Sequence, residues 1–277
     1  MNESPPLAAP VAPTFRSTMY STDRMLVRHF GGEVLDRGPY VVFKTAALPG
    51  HFGANFLVYR HGPATDPDDL VAWQQAFDHE FPDQTREPSF YAGWDAPVTD
   101  NATLSPLAAL GFQPAVWQVY RSESLPAPCI PAGVEVRPLH PDHDATPLLG
   151  LMVEGFPNPP STSLFAHFER QARALLGAVR EGPGLCLGAF EGDRLVAHVA
   201  VLVGDGLARY QWVLTAPDAR QRGICQALLR AAGAWAFATG AQHLVIVAVQ
   251  GHEPSHRAYL GAGFHPVEAL GRLSRRR

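Results

Sequence analysis

The sequence predicts a mixed α/β fold, mostly antiparallel sheet flanked by helices, built as two tandem copies of one unit. Three observations predict it: a meander of short strands followed by a long helix and a buried strand, a proline-rich break near the middle, and an internal repeat. The segment LAALGFQP (107–114) falls on YLGAGFHP (259–266) at an offset of 259 − 107 = 152, sharing Gly-Phe-x-Pro at a helix-to-strand junction. The same offset lays DPDDLVAWQQAF (66–77) on DARQRGICQALL (218–229), and both carry apolar residues at helical spacing.

The break is SESLPAPCIPAG (122–133), which holds three prolines and no periodic pattern. It divides a flexible start (1–14) and a first domain (15–121) from a second domain (134–277). In the second domain VEVRP (134–138) reads as a strand, PLLGLMVEGF (147–156) as a short helix opened by Thr146 and Pro147, and 163–179 as an amphipathic helix with Leu164, Phe168, Leu175 and Val179 on one face. The strands LCLGAF, RLVAHVAVLV and LARYQWVL follow, joined by Gly-Asp turns that predict an antiparallel meander. A helix from about Ala219 to Thr239 should bury Ile224, Leu228, Ala232 and Trp235 and stop at Gly240. LVIVAV (244–249) is apolar throughout, as expected of a strand buried on both faces, and a short helix and last strand close the unit.

Composition narrows the function classes. With 46% hydrophobic and 17% charged residues the chain is an ordinary globular one, and a net charge of −4 argues against nucleic acid as a partner, since phosphate backbones need clustered cations. The basic end RLSRRR reads as a solvated tail. Three separated cysteines (Cys129, Cys186, Cys225) offer neither a metal pair nor a disulfide framework, which fits a cytoplasmic location. No run of about 18 apolar residues appears, so no membrane partner is expected.

The chemistry concentrates at WVLTAPDARQRGICQALL (212–229), a strand, a turn at Pro217 and a helix start holding Arg220, Arg222 and Gly223. Backbone N–H groups at a helix N-terminus attract phosphate, arginines add charge, and glycine lets an anion approach the backbone. The alternative is a plain helix start with solvated arginines. Taken with the meander before it and the Tyr-x-x-x-Gly-Phe helix after it, the string V-x-T-x-P-x-x-R-x-x-G-x-C resembles the GCN5-related N-acetyltransferase (GNAT) family over about 134–277.

That resemblance implies a cosubstrate, acetyl-CoA, and no metal. It implies that Arg220, Gln221, Arg222, Gly223, Ile224 and Cys225 wrap the pyrophosphate, with Cys225 departing from the usual Gly or Ala. It implies that Val213, Leu214 and Thr215 face the pantetheine arm opposite 244–249, with backbone N–H groups near Leu214 turned to the thioester oxygen. It implies that Tyr259 is the general acid for the leaving thiolate, although a tyrosine there could equally be a core aromatic. His252 stands where the family often carries an asparagine near the cofactor. The expected partner is a small-molecule or protein amine acceptor, and the protein is expected to be a monomer or homodimer. The competing reading is a non-catalytic acyl-CoA-binding or regulatory module, motivated by the missing general base: LARYQWVL has no glutamate, leaving only Glu154 or His198 to reach through water.

The first copy differs where it matters. Asp68 and Val71 stand at the positions of Arg220 and Gly223, with Asp66 and Asp69 beside them, and Leu107 replaces Tyr259. Acids favour a helix start but repel pyrophosphate, so this half is expected not to bind CoA. Its stretches LPGHFGANFLVY and FYAGWD are left to build fold and interface, and one of them could wall an acceptor pocket.

Two motifs mimic metal sites. HEPSH (252–256) spells His-Glu-x-x-His, but Pro254 is tolerated only in a first helical turn, whereas a zinc protease needs both histidines in mid-helix. HPDHD (140–144) lies before the predicted helix at 147, where Asp and His act as turn and capping groups. Cys225, near a helix start beside arginine, could be a nucleophile but has no partnered histidine in sequence, and packing is the simpler role.

Overall fold

Strands from both halves join in one sheet. The structure, a computed structural model, describes residues 13–49, 51, 53–63, 67–82, 90–154 and 160–276. The first half contributes α1 (Thr18–His29), β1 (Glu33–Asp36), β2 (Tyr40–Lys44), β3 (Phe56–Tyr59), α2 (Pro67–Glu80), β4 (Phe90–Pro97), α3 (Ser105–Ala109) and β5 (Gln113–Ser122). The second contributes β6 (Glu135–Pro138), α4 (Pro141–Glu154), α5 (Thr162–Glu181), β7 (Gly184–Glu191), β8 (Arg194–Gly204), β9 (Leu207–Thr215), α6 (Ile224–Ala238), β10 (His243–Val249), α7 (Glu253–Ala262) and β11 (His265–Arg275). The predicted meander is present as β7, β8 and β9, all antiparallel.

The strand order is β1-β2-β3-β4-β11-β5-β10-β9-β8-β7-β6. Its centre is a reciprocal exchange. β11, the last strand of the second half, pairs with β4 of the first, while β5, the last strand of the first half, pairs with β10 of the second. The two exchanged strands also pair with each other, from His265–Arg121 to Ser274–Gln113. LVIVAV runs between β5 on one edge and, at Leu244 and Val245, β9 on the other; it is buried apart from Val247, half-buried, and Val249, exposed, where β9 no longer flanks it. Residues 123–134 hold neither helix nor strand, yet Leu125 packs on the second half's core.

Helix α1 ties the two cores together. Its Met19, Tyr20 and Val27 lie in the first core and its Met25 and Leu26 in the second. Between them Asp23, buried, pairs with Arg209 of β9 at 3.2 Å and with Arg272 of β11. Arg209 also donates to Thr22 Oγ1 at 2.6 Å. The Arg272 guanidinium sits 5.0–5.6 Å from the ring centroids of Tyr20, Phe56, Tyr91 and Trp117, a cage that suits a desolvated cation. Gly271 allows this crossing, because a Cβ there would meet the Trp94 ring at 1.8 Å.

Three expectations are corrected. RLSRRR is not a solvated tail: Arg272 and Leu273 are buried and Arg275 donates to Gln74 Oε1 at 2.9 Å. Helix α4 begins at Pro141 rather than near 147, so HPDHD forms its first turn and Pro147 lies inside it. Asp144 is the reason, since its carboxylate accepts from the His140 N–H at 2.7 Å and takes both guanidinium nitrogens of Arg137 at 2.8 Å. The long helix begins at Ile224 rather than Ala219, because Gln221 and Gly223 adopt left-handed backbone.

Replacing Asp23 with Asn should leave two buried arginines without their carboxylate and cost roughly 3–5 kcal/mol of stability, read as a lowered urea midpoint. An unchanged midpoint would mean the ion triad does not hold the halves together.

Candidate functional site

At the carboxyl end of β9 the sheet opens. The parallel pairing of β9 with β10 runs only from His243–Leu207 to Val245–Arg209. Beyond it Tyr210–Thr215 pair with β8 alone and Ile246–Val249 with β5 alone, so the two facing edges carry unpaired backbone groups. A register shift between His198 and Ala200 marks a bulge opposite Trp212, a non-glycine residue with φ of 53°. Val213, Leu214 and Thr215, half-buried, follow that bulge along the opened edge.

The chain then makes a short turn at Pro217–Ala219 and a loop before α6. Gly223, with φ of 78°, is the N-cap and no side chain accepts from the first turn of the helix. A Cβ built on Gly223 would meet nothing within 4 Å, so its surroundings are open. Left-handed backbone at Gln221 and Gly223 shapes the loop that leads into the uncapped N-terminus of α6, where free N–H groups favour an anion. Arg220 is exposed, its Nε donating to Thr215 O at 3.2 Å. Arg222 pairs with Glu191, and Asp218 is taken by Arg194, which also holds Glu154. These residues suit a pyrophosphate: a carbonyl is all that Arg220 must release, and the helix end is uncapped. The Glu191 pairing leaves Arg222 the less available cation.

Tyr259 lies on α7, which Arg230 of α6 ties down by donating to the carbonyls of Gly261 and Ala262. Burial raises the Tyr259 phenol well above its ordinary range, opposed by a hydrogen bond with Ser255 and reinforced by nearby Cys225 and Tyr120. It is a protonated donor at neutral pH. Burial likewise pushes the Cys225 thiol up to about 11 despite a hydrogen bond with Thr215, and a neutral thiol is a poor nucleophile.

The histidines of HEPSH are otherwise engaged. His252 is the N-cap of α7, with Nδ1 2.8 Å from Ser255 Oγ, and His256 Nδ1 lies 2.8 Å from the Tyr120 hydroxyl. Among the described residues no cluster of His, Cys, Asp or Glu could hold a metal. Tyr120 was not foreseen. It belongs to β5 of the first half, meets Tyr259 edge-on at 5.4 Å, and reaches the site only through the strand exchange.

Of the two groups considered as proton acceptors, Glu154 is bound to Arg194 on the surface. His198 is fully buried on β8, its Nδ1 3.1 Å from Leu187 O and its Nε2 without a partner among the described residues.

Next to the opened edge is a pocket to which both halves contribute. Leu26 of α1, Phe30 just after it, and Leu48 and His51 of the loop between β2 and β3 face Gln171 of α5 and Gln211 and Trp212 of β9 across it. His51 packs edge-on to Trp212 at 6.2 Å. Part of LPGHFGANFLVY thus lines a pocket, as its sequence position allowed.

The first half closes the equivalent cleft. Its helix α2 runs unbroken through Asp68–Val71, and β3 ends at Tyr59 while still paired with β4. Trp73, at the repeat position of Cys225, stacks on Tyr59 at 3.7 Å and 2°, filling the space that the smaller residue leaves in the second half.

Residues 148–264 match the acetyltransferase (GNAT) family. The whole chain is similar to solved structures of a GCN5-related N-acetyltransferase from Sphaerobacter thermophilus (TM-score 0.59, 20% identity, 91% of this chain and 84% of that one) and another from Kribbella flavida (0.61, 16%, 94% and 96%). It is also similar to a tandem GNAT protein from the clavulanic acid biosynthesis pathway (0.50, 13%, 79% and 72%). At these identities the likeness is one of fold. No curated protein matches the chain in sequence.

Burial holds His198 at about 4, below its ordinary 6.5. The unfolded chain therefore binds this proton first as pH falls, so stability is full above about 6.5 and drops by roughly 3 kcal/mol between there and about 4. His198→Gln should flatten that stretch of the pH–stability curve. A slope that the substitution leaves untouched would assign the acid sensitivity elsewhere.

Proposed function

We propose, for a tandem chain whose residues 148–264 form a GNAT-family domain, that the second half is an acetyl-CoA-dependent N-acetyltransferase working by direct attack of an amine on the thioester. The observation that carries this is the opened β9–β10 edge ending in an uncapped α6 N-terminus, with a buried, protonated tyrosine beside it. Arg220, Gln221, Gly223 and the first N–H groups of α6, at Ile224 and Cys225, would hold the pyrophosphate. Arg222 would join them by exchanging Glu191 for phosphate, and His252 lies at the neighbouring end of α7. The backbone of Val213–Thr215 would pair with the pantetheine amides. Acetyl-CoA supplies the activated acyl group.

The chain's own residues do the rest. An N–H near Leu214 at the opened edge is a preorganised donor for oxygen charge that builds up as the amine attacks, and such donors are worth more where water is excluded. Tyr259 gives its proton to the departing sulfur. Because burial disfavours the phenolate, the tyrosine stays protonated until the sulfur departs and regains its proton promptly afterwards. The first half, with its cleft filled by Trp73, binds no cofactor and serves as wall and brace.

Titration calorimetry should show one acetyl-CoA per chain, lost when Arg220→Glu and Gly223→Val are combined; no binding by the unaltered protein would refute the transferase reading. Tyr259→Phe should lower kcat by about 10²–10⁴-fold while acetyl-CoA affinity stays within about three-fold. A protein that binds acetyl-CoA yet releases no CoA thiol with any amine would instead be a binding module.

A further inference from the structure

The first turn of α7 connects the buried general acid to water. Resting on the transferase reading above, we infer that Ser255 and His252 form the path by which Tyr259 regains its proton from solvent after each acyl transfer.

The spacing puts the three groups in line. His252 is the N-cap of α7, Ser255 follows three residues later and Tyr259 four residues after that, and residues three and four apart share one face of a helix. His252 Nδ1 lies 2.8 Å from Ser255 Oγ, and Ser255 hydrogen-bonds with the Tyr259 phenol one turn further on. Exposure falls along the same line. His252 is exposed, Ser255 half-buried and Tyr259 only 5% exposed, so the polar atoms lead from water to the buried hydroxyl.

The other groups around that hydroxyl are committed elsewhere. Cys225 bonds with Thr215, and Arg209 is held by Asp23 and Thr22. Tyr120 meets Tyr259 edge-on and turns its own hydroxyl to His256. Glu253, beside His252 in the first turn of α7, is exposed. Ser255 is thus the group that joins the phenol to a side chain open to water. Such a path matters because a buried phenolate lacks hydration, and a cosubstrate seated in the cleft would exclude water from its open side.

The proton steps balance. The amine nitrogen bonds to the acyl carbon as the C–S bond breaks, and the departing sulfur takes the Tyr259 proton. The phenolate then takes the Ser255 hydroxyl proton, Ser255 Oγ takes the proton on His252 Nδ1, and His252 recovers one from water. The proton shed by the new amide nitrogen passes to solvent, so one amine and one thioester become one amide and one thiol. A hydroxyl both donates and accepts, which suits the middle position. Imidazole suits the outer one, since it exchanges protons with water near neutral pH.

The test follows CoA thiol release in weakly buffered solution, using whichever of an α-amino amide, a lysine peptide with a blocked N-terminus and an aminoglycoside reacts fastest. Ser255→Ala and His252→Ala should each lower kcat by about ten-fold, with the KM for acetyl-CoA within about three-fold and the thermal midpoint unchanged. Added imidazole should restore most of the activity lost by His252→Ala, which a merely structural role would not allow. The solvent deuterium isotope effect on kcat should be larger in both variants than in the unaltered protein. An unchanged kcat in both variants, a loss confined to the KM for acetyl-CoA, or a loss that imidazole leaves in place would overturn this inference while the transferase reading stands. Absence of thiol release by the unaltered protein with every amine would instead remove the transferase reading, and the relay with it.

Discussion

The structure depends on the exchange of terminal strands at its centre. A sheet edge exposes unpaired N–H and C=O groups that must be paired or covered, and the repeat makes β5 and β11 equivalent partners for either β4 or β10. Each crosses to the other half and each then pairs with the other, so the edges of both units are satisfied by the same two strands. The arrangement also places Asp23 between Arg209 and Arg272, three buried charges drawn from α1, β9 and β11. A buried pair is expensive when a partner is missing, so the triad tolerates only this mutual placement of the halves.

The site inherits its geometry from that placement. With β5 held along the full length of β10, the other edge of β10 is free to diverge from β9, and the bulge at Trp212 carries β9 away. The separation exposes backbone groups at a point where the loop through Gly223 delivers a helix N-terminus. Tyr120 crosses with β5 and buttresses Tyr259 and His256 from beneath. The other half also supplies Leu26, Leu48 and His51 facing Gln171 and Trp212.

The two copies show how little chemistry separates an opened sheet edge from a filled core. Trp73 stacked on Tyr59 and an unbroken acidic helix start make one a packed element. Cys225 and the left-handed residues Gln221 and Gly223 make the other an open cradle. An aromatic ring at one repeat position removes the space, and a stretch of aspartates removes the charge complement.

Much of this was legible in the chain alone. Periodicity and turn residues located the meander, the buried strand at 244–249 and the helix after it, since local propensity and burial pattern act within a few residues. The spacing around Arg220 and Gly223 pointed to an anion cradle, and Pro254 removed the protease reading, because both arguments concern local backbone. Helix starts were misplaced where a side chain decided them, as when Asp144 captured the His140 N–H and Arg137. The fate of RLSRRR was invisible because charge suggests solvent unless an aromatic cage and a carboxylate, both distant in sequence, are brought around it. Sequence by itself determined the fold class, the repeat and the contrast between the two helix starts at 66–71 and 218–223, all properties of local pattern. Tertiary structure alone decided which strands pair across the repeat, that Tyr120 meets Tyr259 and His51 meets Trp212, and what lines the pocket beside β9. Two equivalent strands present the same pattern to either partner, and only packing of the whole chain chooses between them.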